Sequence, residues 1–328
     1  MRVRAALLFA AYLTVGATAA PKPNFVVVLT DDVDVLLGGI DGMPNLLDSM
    51  RTHGRSFDAA YVNTPICCPS RTALLSGRYG HNLQEKAHGW CGAFTGFPLE
   101  NHTWVTALHD AGYTTAMHGK YHNSPPTKYV PEGWDDFLSL NNECQYFNNT
   151  FNDNGKHVVF GDKPEDYMTS VIGNRTITWL KDAVAGSQPF LAYIAPHAAH
   201  MPATPAPWYA NAPIPHMGAP RTPAYGVQGV GKHWVIESLA ELSPAMEEGI
   251  DLIARDRARS LLSVDDIIRE VVEVLTEANA LSSTYLIFSS DHGYDLGTFR
   301  LSVEKFHSLE NLSARENERV GGRIRKQG

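Results

Sequence analysis

The sequence contains little cysteine, no long apolar run and no excess of basic residues. Four cysteines in 328 residues are too few for a disulfide scaffold, so a large apolar core must hold the fold together. No segment offers the run of about 18 apolar residues that a membrane-spanning helix needs, and we therefore expect no membrane span. A formal net charge of −8 argues against a nucleic-acid partner, because nucleic-acid-binding proteins normally present a basic surface.

Residues 1–20 have the features of a secretory signal peptide. Basic Arg2 and Arg4 precede an apolar run over residues 5–15, which ends in small residues typical of a cleavage site. We therefore predict a mature chain that begins around Pro21. The protein is expected to be secreted, or to reach a lysosome or vacuole by the secretory pathway.

Four sequons for N-linked glycosylation agree with this route. Each N-x-S/T triplet is a weak signal alone, but four in a chain with a signal peptide favour a glycoprotein. The acceptor residues are Asn101, Asn148, Asn174 and Asn311.

Short apolar runs rich in β-branched residues indicate strands that are buried on both faces. Residues 25–30, 190–195 and 284–289 are such runs. Apolar residues recur at helical spacing from Ser263 to Leu275, and Ser263 is expected to cap that helix. Strands that alternate with helices predict an α/β fold with a mostly parallel central sheet and helices on both faces.

Acidic or histidine clusters directly follow these runs. Asp31 and Asp32 follow the first run, and Asp291 and His292 follow the last. In parallel sheets, ligands bind beyond the carboxyl ends of the strands, and a hard divalent cation needs several oxygen ligands that converge. For either pair alone, a turn or a helix cap is the commoner role.

Residues 67–78 carry the most specific pattern. They read Cys67-Cys68-Pro69-Ser70-Arg71 and then TALLSGR, which resembles the sulfatase signature C-x-P-S-R-x-x-L-L-x-G-R at every fixed position. A Cys-Cys pair alone would favour a buried thiol or half of a disulfide. The resemblance instead implies an alkaline-phosphatase-like fold in which Cys67 is oxidised to formylglycine (3-oxoalanine) by the formylglycine-generating enzyme.

The resemblance also implies a binding site for one Ca²⁺ ion and a polar pocket for the sulfate ester. In the pocket, Lys120 binds sulfate and His122 assists the hydrated aldehyde, in an element similar to the family's G-K-[WY]-H. His200 contacts the ester oxygen, with His197 as the competing choice. The implied metal ligands are Asp31, Asp32, Cys67, Asp291 and His292, and the implied catalytic residues are Cys67, Arg71, Lys120, His122, His200 and Lys305.

The resemblance covers most of residues 23–310 and is closest to the N-acetylglucosamine-6-sulfatase, extracellular sulfatase and secreted arylsulfatase branch. It implies hydrolysis of a sulfate ester in a sulfated small molecule or glycan. One alternative is a phosphodiesterase or phosphonate hydrolase of the same superfamily. The other is an inactive truncated product.

Two features lie outside the family pattern. If Cys67 is modified, Cys91 with Cys144 is a candidate disulfide that leaves Cys68 as a buried small residue, although the sequence leaves the pairing open. Residues 311–328 form a polar, arginine-rich tail without a strand-like run, which is typical of disorder. We therefore expect residues 21–310 to form the N-terminal catalytic domain, without the family's smaller C-terminal subdomain. The chain is then a truncated, alternatively spliced or mispredicted form.

Overall fold

The computed structural model describes residues 21–34, 36–57, 59–83, 99–123, 125–141, 145–302 and 305, and the backbone of residues 316–319. These parts of the chain contain nine strands. They are β1 (Asn24–Thr30), β2 (Arg55–Phe57), β3 (Thr114–Gly119), β4 (Asp136–Leu140), β5 (Thr150–Asp153), β6 (Lys156–Val159), β7 (Phe190–Ala195), β8 (Thr284–Ser290) and β9 (Glu316–Arg319).

Six α-helices connect or cover the strands in the same parts of the chain. They are α1 (Pro44–Leu46), which continues as a π-helical turn (Leu47–Thr52), α2 (Cys67–Ser76), α3 (Trp104–Asp110), α4 (Met168–Ala185), α5 (Trp234–Glu237) and α6 (Pro244–Glu277). Short 3₁₀ turns lie at Gly80–Asn82, Pro164–Asp166, Pro207–Tyr209 and Leu281–Ser283. Among the described helices, none has both the length and the apolar character that crossing a bilayer requires.

The strands form one mixed sheet in the order β2-β9-β8-β1-β7-β3-β4-β5-β6. The central strands β8, β1, β7, β3 and β4 pair in parallel, whereas the pairs toward both edges are antiparallel. The predicted α/β fold with a mostly parallel sheet is therefore confirmed. Because the central strands run in one direction, the loops that follow them leave the sheet at the same edge.

Apolar side chains cover both faces of the sheet. On one face, Val26 of β1 packs in a core cluster with Ile172 of α4 and Ile268 of α6. On the other face, Leu29 of β1 packs in a second cluster with Leu75 of α2. Successive side chains of a strand point to opposite faces, so the run at residues 25–30 contributes to both clusters. This burial holds the strand ends in fixed positions.

The prediction that Ser263 caps a helix is wrong. Helix α6 begins at Pro244, and its cap is Ser243, whose hydroxyl accepts a hydrogen bond from the backbone N–H of Met246. Proline suits a first helical turn, and no further proline interrupts the chain up to Glu277. Ser263 therefore lies in the middle of a long helix, where its side chain is buried.

The expectation of a tail without a strand is also wrong. Strand β9 lies within residues 311–328 and pairs antiparallel with both β8 and β2, with Asn317 opposite Phe288 and Glu316 opposite Phe57. A strand at this position needs backbone hydrogen-bond partners rather than apolar side chains. Composition therefore does not reveal it.

Gly119, the last residue of β3, lies where a side chain has no room. Its φ is +121°, and a Cβ atom there would lie 2.0 Å from the carbonyl oxygen of Ala195 on β7. The same carbonyl accepts a 2.7 Å hydrogen bond from the backbone N–H of Lys120. This close approach fixes where the chain leaves the sheet toward Lys120.

Gly119→Ala is expected to destabilise the protein by more than about 4 kcal/mol, because the clash adds to the backbone strain. Gly112→Ala is the matched control, since Gly112 has φ +86° and an added Cβ would meet nothing within 4 Å. The control is expected to lose about 1–2 kcal/mol from the left-handed conformation alone. Equilibrium denaturation of both variants measures the difference, and equal losses would contradict the argument.

Candidate active site

Five segments of the chain bring polar side chains to one edge of the sheet. Asp31 and Asp32 follow β1, Lys120 and His122 follow β3, His197 and His200 follow β7, Asp291 and His292 follow β8, and Cys67 is the first residue of α2. Lys305 joins them from the segment after β8. The structure thus brings together the residues that the sequence singled out.

Cys67 lies at the centre of this group. Its thiol is free and only 2% of the residue is exposed. The sulfur lies 3.2 Å from Lys305 Nζ, 3.4 Å from Asp31 Oδ1 and 3.4 Å from His292 Nε2. Burial and the carboxylates raise the pKa of the thiol, but cations led by Lys120 outweigh them and leave that pKa below its ordinary value. A side chain built on Cys67 therefore meets both acidic and basic groups.

Cys68 takes part in a disulfide bond, contrary to the sequence-based expectation. Cys91 and Cys144 both lie outside the described residues, so their proposed pairing is not described. The expectation was wrong for Cys68 because a small buried residue and a half-cystine look alike in sequence. The residue next to Cys67 is therefore disulfide-bonded, while Cys67 itself is a free cysteine.

Asp31 is the main anionic centre of the site. Its Oδ2 lies 2.6 Å from Lys120 Nζ and 2.9 Å from His197 Nδ1. Burial alone would raise the pKa of this carboxyl, but Lys120, His200 and Arg71 hold it well below its usual range. Burial likewise opposes the charge of Lys120, yet Asp31 raises the pKa of Lys120 above its ordinary value. Both groups are therefore charged at neutral pH.

Arg71 holds Asp291 and the start of the Lys120 loop in place. Its Nε lies 2.9 Å from Asp291 Oδ2, and its Nη1 donates a 2.6 Å hydrogen bond to the carbonyl of Lys120. Asp291 Oδ1 in turn accepts hydrogen bonds from the backbone N–H groups of Asp32 and His292. Arg71 and Asp291 are both buried, and buried charges require such partners.

Asp32, His292 and Lys305 form the second charged cluster. Asp32 Oδ1 lies 2.9 Å from Lys305 Nζ and 3.2 Å from His292 Nε2. Burial would raise the pKa of Asp32, but Lys305, His200 and His292 lower it to about 2. Burial would lower the pKa of His292, but Asp291 and Asp32 raise it to about 9. Asp32 is therefore a carboxylate over the physiological range.

These donors fit a divalent cation. Ligand atoms of Asp31, Asp32, Cys67 and His292 all lie within 4.8 Å of one another. Asp32 Oδ2 is buried and accepts no hydrogen bond from the described residues. His292 Nδ1 lies 2.8 Å from the carbonyl of Gly293, so Nδ1 carries a proton, and a metal at Nε2 would replace the second proton that the raised pKa keeps there. Two of these four groups, Asp31 and Asp32, are carboxylates, the ligands that a hard cation prefers.

His197 and His200 are stacked, with ring centroids 4.4 Å apart, but they differ in accessibility. His197 is fully buried, and burial lowers its pKa to about 3. The side chain of His200 is 13% exposed, and its Nε2 lies 4.0 Å from Asp32 Oδ2. Of the two, His200 is the one that a substrate can reach.

His122 lies against helix α2. Its Nε2 is 3.1 Å from Thr72 Oγ1. Burial, together with Arg71 and Lys120, lowers the pKa of His122 to about 3. The imidazole is therefore neutral at physiological pH.

Ser290 helps to order the site, although no sequence motif indicated it. Its hydroxyl accepts a hydrogen bond from the backbone N–H of Val33 and donates to the carbonyl of His292. It thus joins the loop after β1 to the loop after β8. A serine at a strand end carries no specific pattern, so only the strand pairing could have indicated this role.

Three of the four predicted glycosylation acceptors lie on the surface. Asn101, Asn148 and Asn174 are exposed, as glycan attachment requires. Asn311 lies outside the described residues, as does the predicted signal peptide at residues 1–20.

The fold and the site together define an α/β protein with a buried, carboxylate-rich pocket around one cysteine. The sulfatase family model matches residues 23–319, and the chain belongs to the sulfatase family.

Curated relatives support this membership and are longer than the chain. The N-acetylglucosamine-6-sulfatase of Capra hircus is 34% identical over 303 residues, which cover 88% of this chain and 54% of that protein. The extracellular sulfatase SULF-1 homolog of Drosophila melanogaster is 33% identical over 300 residues, which cover 88% of this chain and 26% of that protein. The chain thus spans about half or less of the length of these relatives.

A solved structure supports the fold. It contains a protein in complex with its substrate D-glucosamine-2-N,6-O-disulfate and matches with a TM-score of 0.67 at 22% sequence identity. The match covers 92% of this chain and 71% of that chain.

Proposed function

We propose that this chain hydrolyses sulfate esters with a formylglycine nucleophile derived from Cys67 and one bound Ca²⁺ ion. The observation that carries the proposal is the position of the Cys67 sulfur. It lies within 3.4 Å of Asp31, His292 and Lys305, at the start of α2 and within the sulfatase signature. A nucleophile there faces carboxylates that hold a cation and lysines that attract an anion.

The proposed reaction also needs a modified residue, formylglycine, and a bound Ca²⁺ ion. Hydrated formylglycine supplies a geminal diol, of which one hydroxyl attacks sulfur and the other permits release of sulfate, and Ca²⁺ stabilises negative charge on oxygen. Asp31, Asp32, Asp291 and His292 would hold the ion together with residue 67. Arg71 fixes the position of Asp291 and so supports this ligand set.

Lys120 and Lys305 supply fixed positive charge for the sulfate group. Asp31 raises the pKa of Lys120, and Asp32 raises that of Lys305, in each case against the effect of burial. Both ammonium groups therefore stay charged while they are largely removed from water. Preorganised charge of this kind stabilises an anionic transition state.

His200 and His122 are suited to proton transfer. The partial exposure of His200 favours it over His197 as the group that protonates the departing alcohol, with Lys305 as the competing donor. His122, held neutral by its lowered pKa, is the acceptor for the proton that must leave before sulfate is released.

The names of the relatives guide the proposed substrate and location. A sulfated glycan or a sulfated small molecule fits the resemblance to N-acetylglucosamine-6-sulfatase and extracellular sulfatases. We propose a glycoprotein of the secretory pathway, either extracellular or lysosomal, because formylglycine is made by the formylglycine-generating enzyme in the endoplasmic reticulum. The three exposed sequons agree with this route.

A substrate comparison tests the proposal. Protein secreted from cells that contain the formylglycine-generating enzyme should hydrolyse p-nitrophenyl sulfate, and excess chelator should remove that activity. We expect turnover of bis-p-nitrophenyl phosphate and of phenylphosphonate monoesters to be slower by at least about 100-fold in kcat/KM. Faster turnover of the phosphorus esters would favour the phosphodiesterase or phosphonate hydrolase alternative. Turnover of none of them would favour an inactive product.

A further inference from the structure

Arg257, a buried residue of α6, contacts three loops of the site at once. Its Nη2 donates a 2.6 Å hydrogen bond to the carbonyl of Asp32, and its Nη1 donates a 3.0 Å hydrogen bond to the carbonyl of Ala199. Its guanidinium carbon lies 4.2 Å from the centre of the Tyr294 ring. Only 4% of the residue is exposed, so the guanidinium makes these contacts in the protein interior.

Each of these contacts falls beside a proposed functional residue. Asp32 is itself a proposed metal ligand, Ala199 precedes His200, and Tyr294 follows His292 by two positions. The three loops otherwise follow different strands, β1, β7 and β8, and each begins at its own point along the edge of the sheet. One guanidinium therefore contacts all three loops at once, in addition to the hydrogen bonds that join the loop after β1 to each of the other two.

The chemistry of arginine suits this position. The planar fork donates in two directions while its face stacks on an aromatic ring, a combination that lysine lacks. Asp34 Oδ2, 3.3 Å from Nη2, compensates the buried positive charge. Asp34 Oδ1 also accepts a hydrogen bond from the backbone N–H of Leu37, so its carboxylate helps to order the loop after β1.

We infer that Arg257 is a positioning residue, which sets the relative placement of the Asp32 carboxylate and the His200 imidazole for the proposed hydrolysis. Arg257 acts through the backbone carbonyls of Asp32 and Ala199 and does not touch the reacting atoms itself. The inference rests on the proposed function. A small displacement of groups that act together lowers a rate steeply, and residues that orient metal ligands affect metal affinity.

The test uses the full chain with the double substitution Asp34→Asn/Arg257→Met. The single change Arg257→Met would leave the Asp34 carboxylate buried without its cation and risks misfolding, whereas asparagine keeps the oxygen that Leu37 needs. Arg257→Lys is the conservative variant. Arg259→Met is the matched control, because Arg259 lies on the same helix but its Nε donates to the carbonyl of Ala212, which is 12 residues beyond His200 in the chain.

We expect the double variant to require about 10- to 100-fold more Ca²⁺ for half-maximal thermal stabilisation. Its kcat for p-nitrophenyl sulfate should fall by about 10- to 100-fold, measured well below the melting temperature, while KM changes by less than about threefold. Arg257→Lys should recover part of both losses, and Arg259→Met should match the unmodified sequence. A residue that only stabilises the fold would lower the melting temperature without changing kcat or the Ca²⁺ requirement.

The Ca²⁺ titration separates the two claims, because it needs no turnover. If the parent protein hydrolyses no sulfate ester but the double variant still needs at least about 10-fold more Ca²⁺, the positioning role stands and the proposed function fails. If the parent is active and the double variant matches Arg259→Met in kcat and in Ca²⁺ requirement, the positioning role is wrong and the proposed function is unaffected.

Discussion

Replacement of Cys67 with alanine is expected to reduce kcat for p-nitrophenyl sulfate by at least about 10⁴-fold, because it removes the group from which the nucleophile is made. The remaining site would keep its lysines and carboxylates, but no oxygen would be positioned to attack sulfur. The thiol is small and buried, so its loss should leave the fold intact. Secretion yield and melting temperature provide that check.

Cys67→Ser is the informative companion variant. A serine hydroxyl can attack sulfur, but it lacks the second hydroxyl through which sulfate is released, so we expect accumulation of sulfated protein without turnover. Mass spectrometry of the intact variant after incubation with substrate measures this directly. Undiminished turnover in either variant would mean that Cys67 is not the source of the nucleophile.

Asp31→Asn is expected to have the second largest effect. The substitution keeps the shape of the side chain but removes the charge that faces Lys120, Arg71 and His197. Breaking a buried ion pair by removal of one partner destabilises proteins by about 3–5 kcal/mol. We also expect the loss of Ca²⁺-dependent stabilisation and a decrease in kcat of at least about 100-fold, because Asp31 serves both the proposed metal and Lys120.

Asp41→Asn is the matched control for this prediction. Asp41 is exposed and interacts only with the exposed His216 among the described ion pairs, and surface pairs contribute about 0–1 kcal/mol. Denaturation and Ca²⁺ titration should therefore show a large loss of stability and of Ca²⁺-dependent stabilisation for Asp31→Asn and little change for Asp41→Asn. If Asp31→Asn melts and binds Ca²⁺ as Asp41→Asn does, the central role of Asp31 is contradicted.

The parallel core of the fold was accessible from the sequence, and the long helix and the added strand were not. Buried parallel strands leave continuous apolar runs, as at residues 25–30, and the structure places β1, β7 and β8 at the three runs. Ser263 resembled a helix cap because serine and aspartate suit helix ends. The local preference of one residue does not show whether the residues before it are already helical, as they are here. Strand β9 depends on backbone pairing with β8 and β2, which composition does not describe.

The site was predictable to the extent that its residues belong to motifs. The signature around Cys67, the acidic pairs at the ends of β1 and β8, and the Gly119-Lys120 element all indicated positions that the structure brings together. Ser290 and Arg257 act through backbone carbonyls and N–H groups, so their side chains follow no recurring spacing. The disulfide of Cys68 depends on a three-dimensional neighbour, which spacing along the chain does not identify.

The most direct test of the account is the chemical identity of residue 67 in secreted protein. Trypsin should release the peptide Ser56–Arg71 after reduction, and mass spectrometry reads residue 67 within it. We predict formylglycine, in which one oxygen replaces the sulfur and two hydrogens of the cysteine, while Cys68 remains a cysteine. An unmodified Cys67 in protein that hydrolyses sulfate esters would contradict the proposed nucleophile.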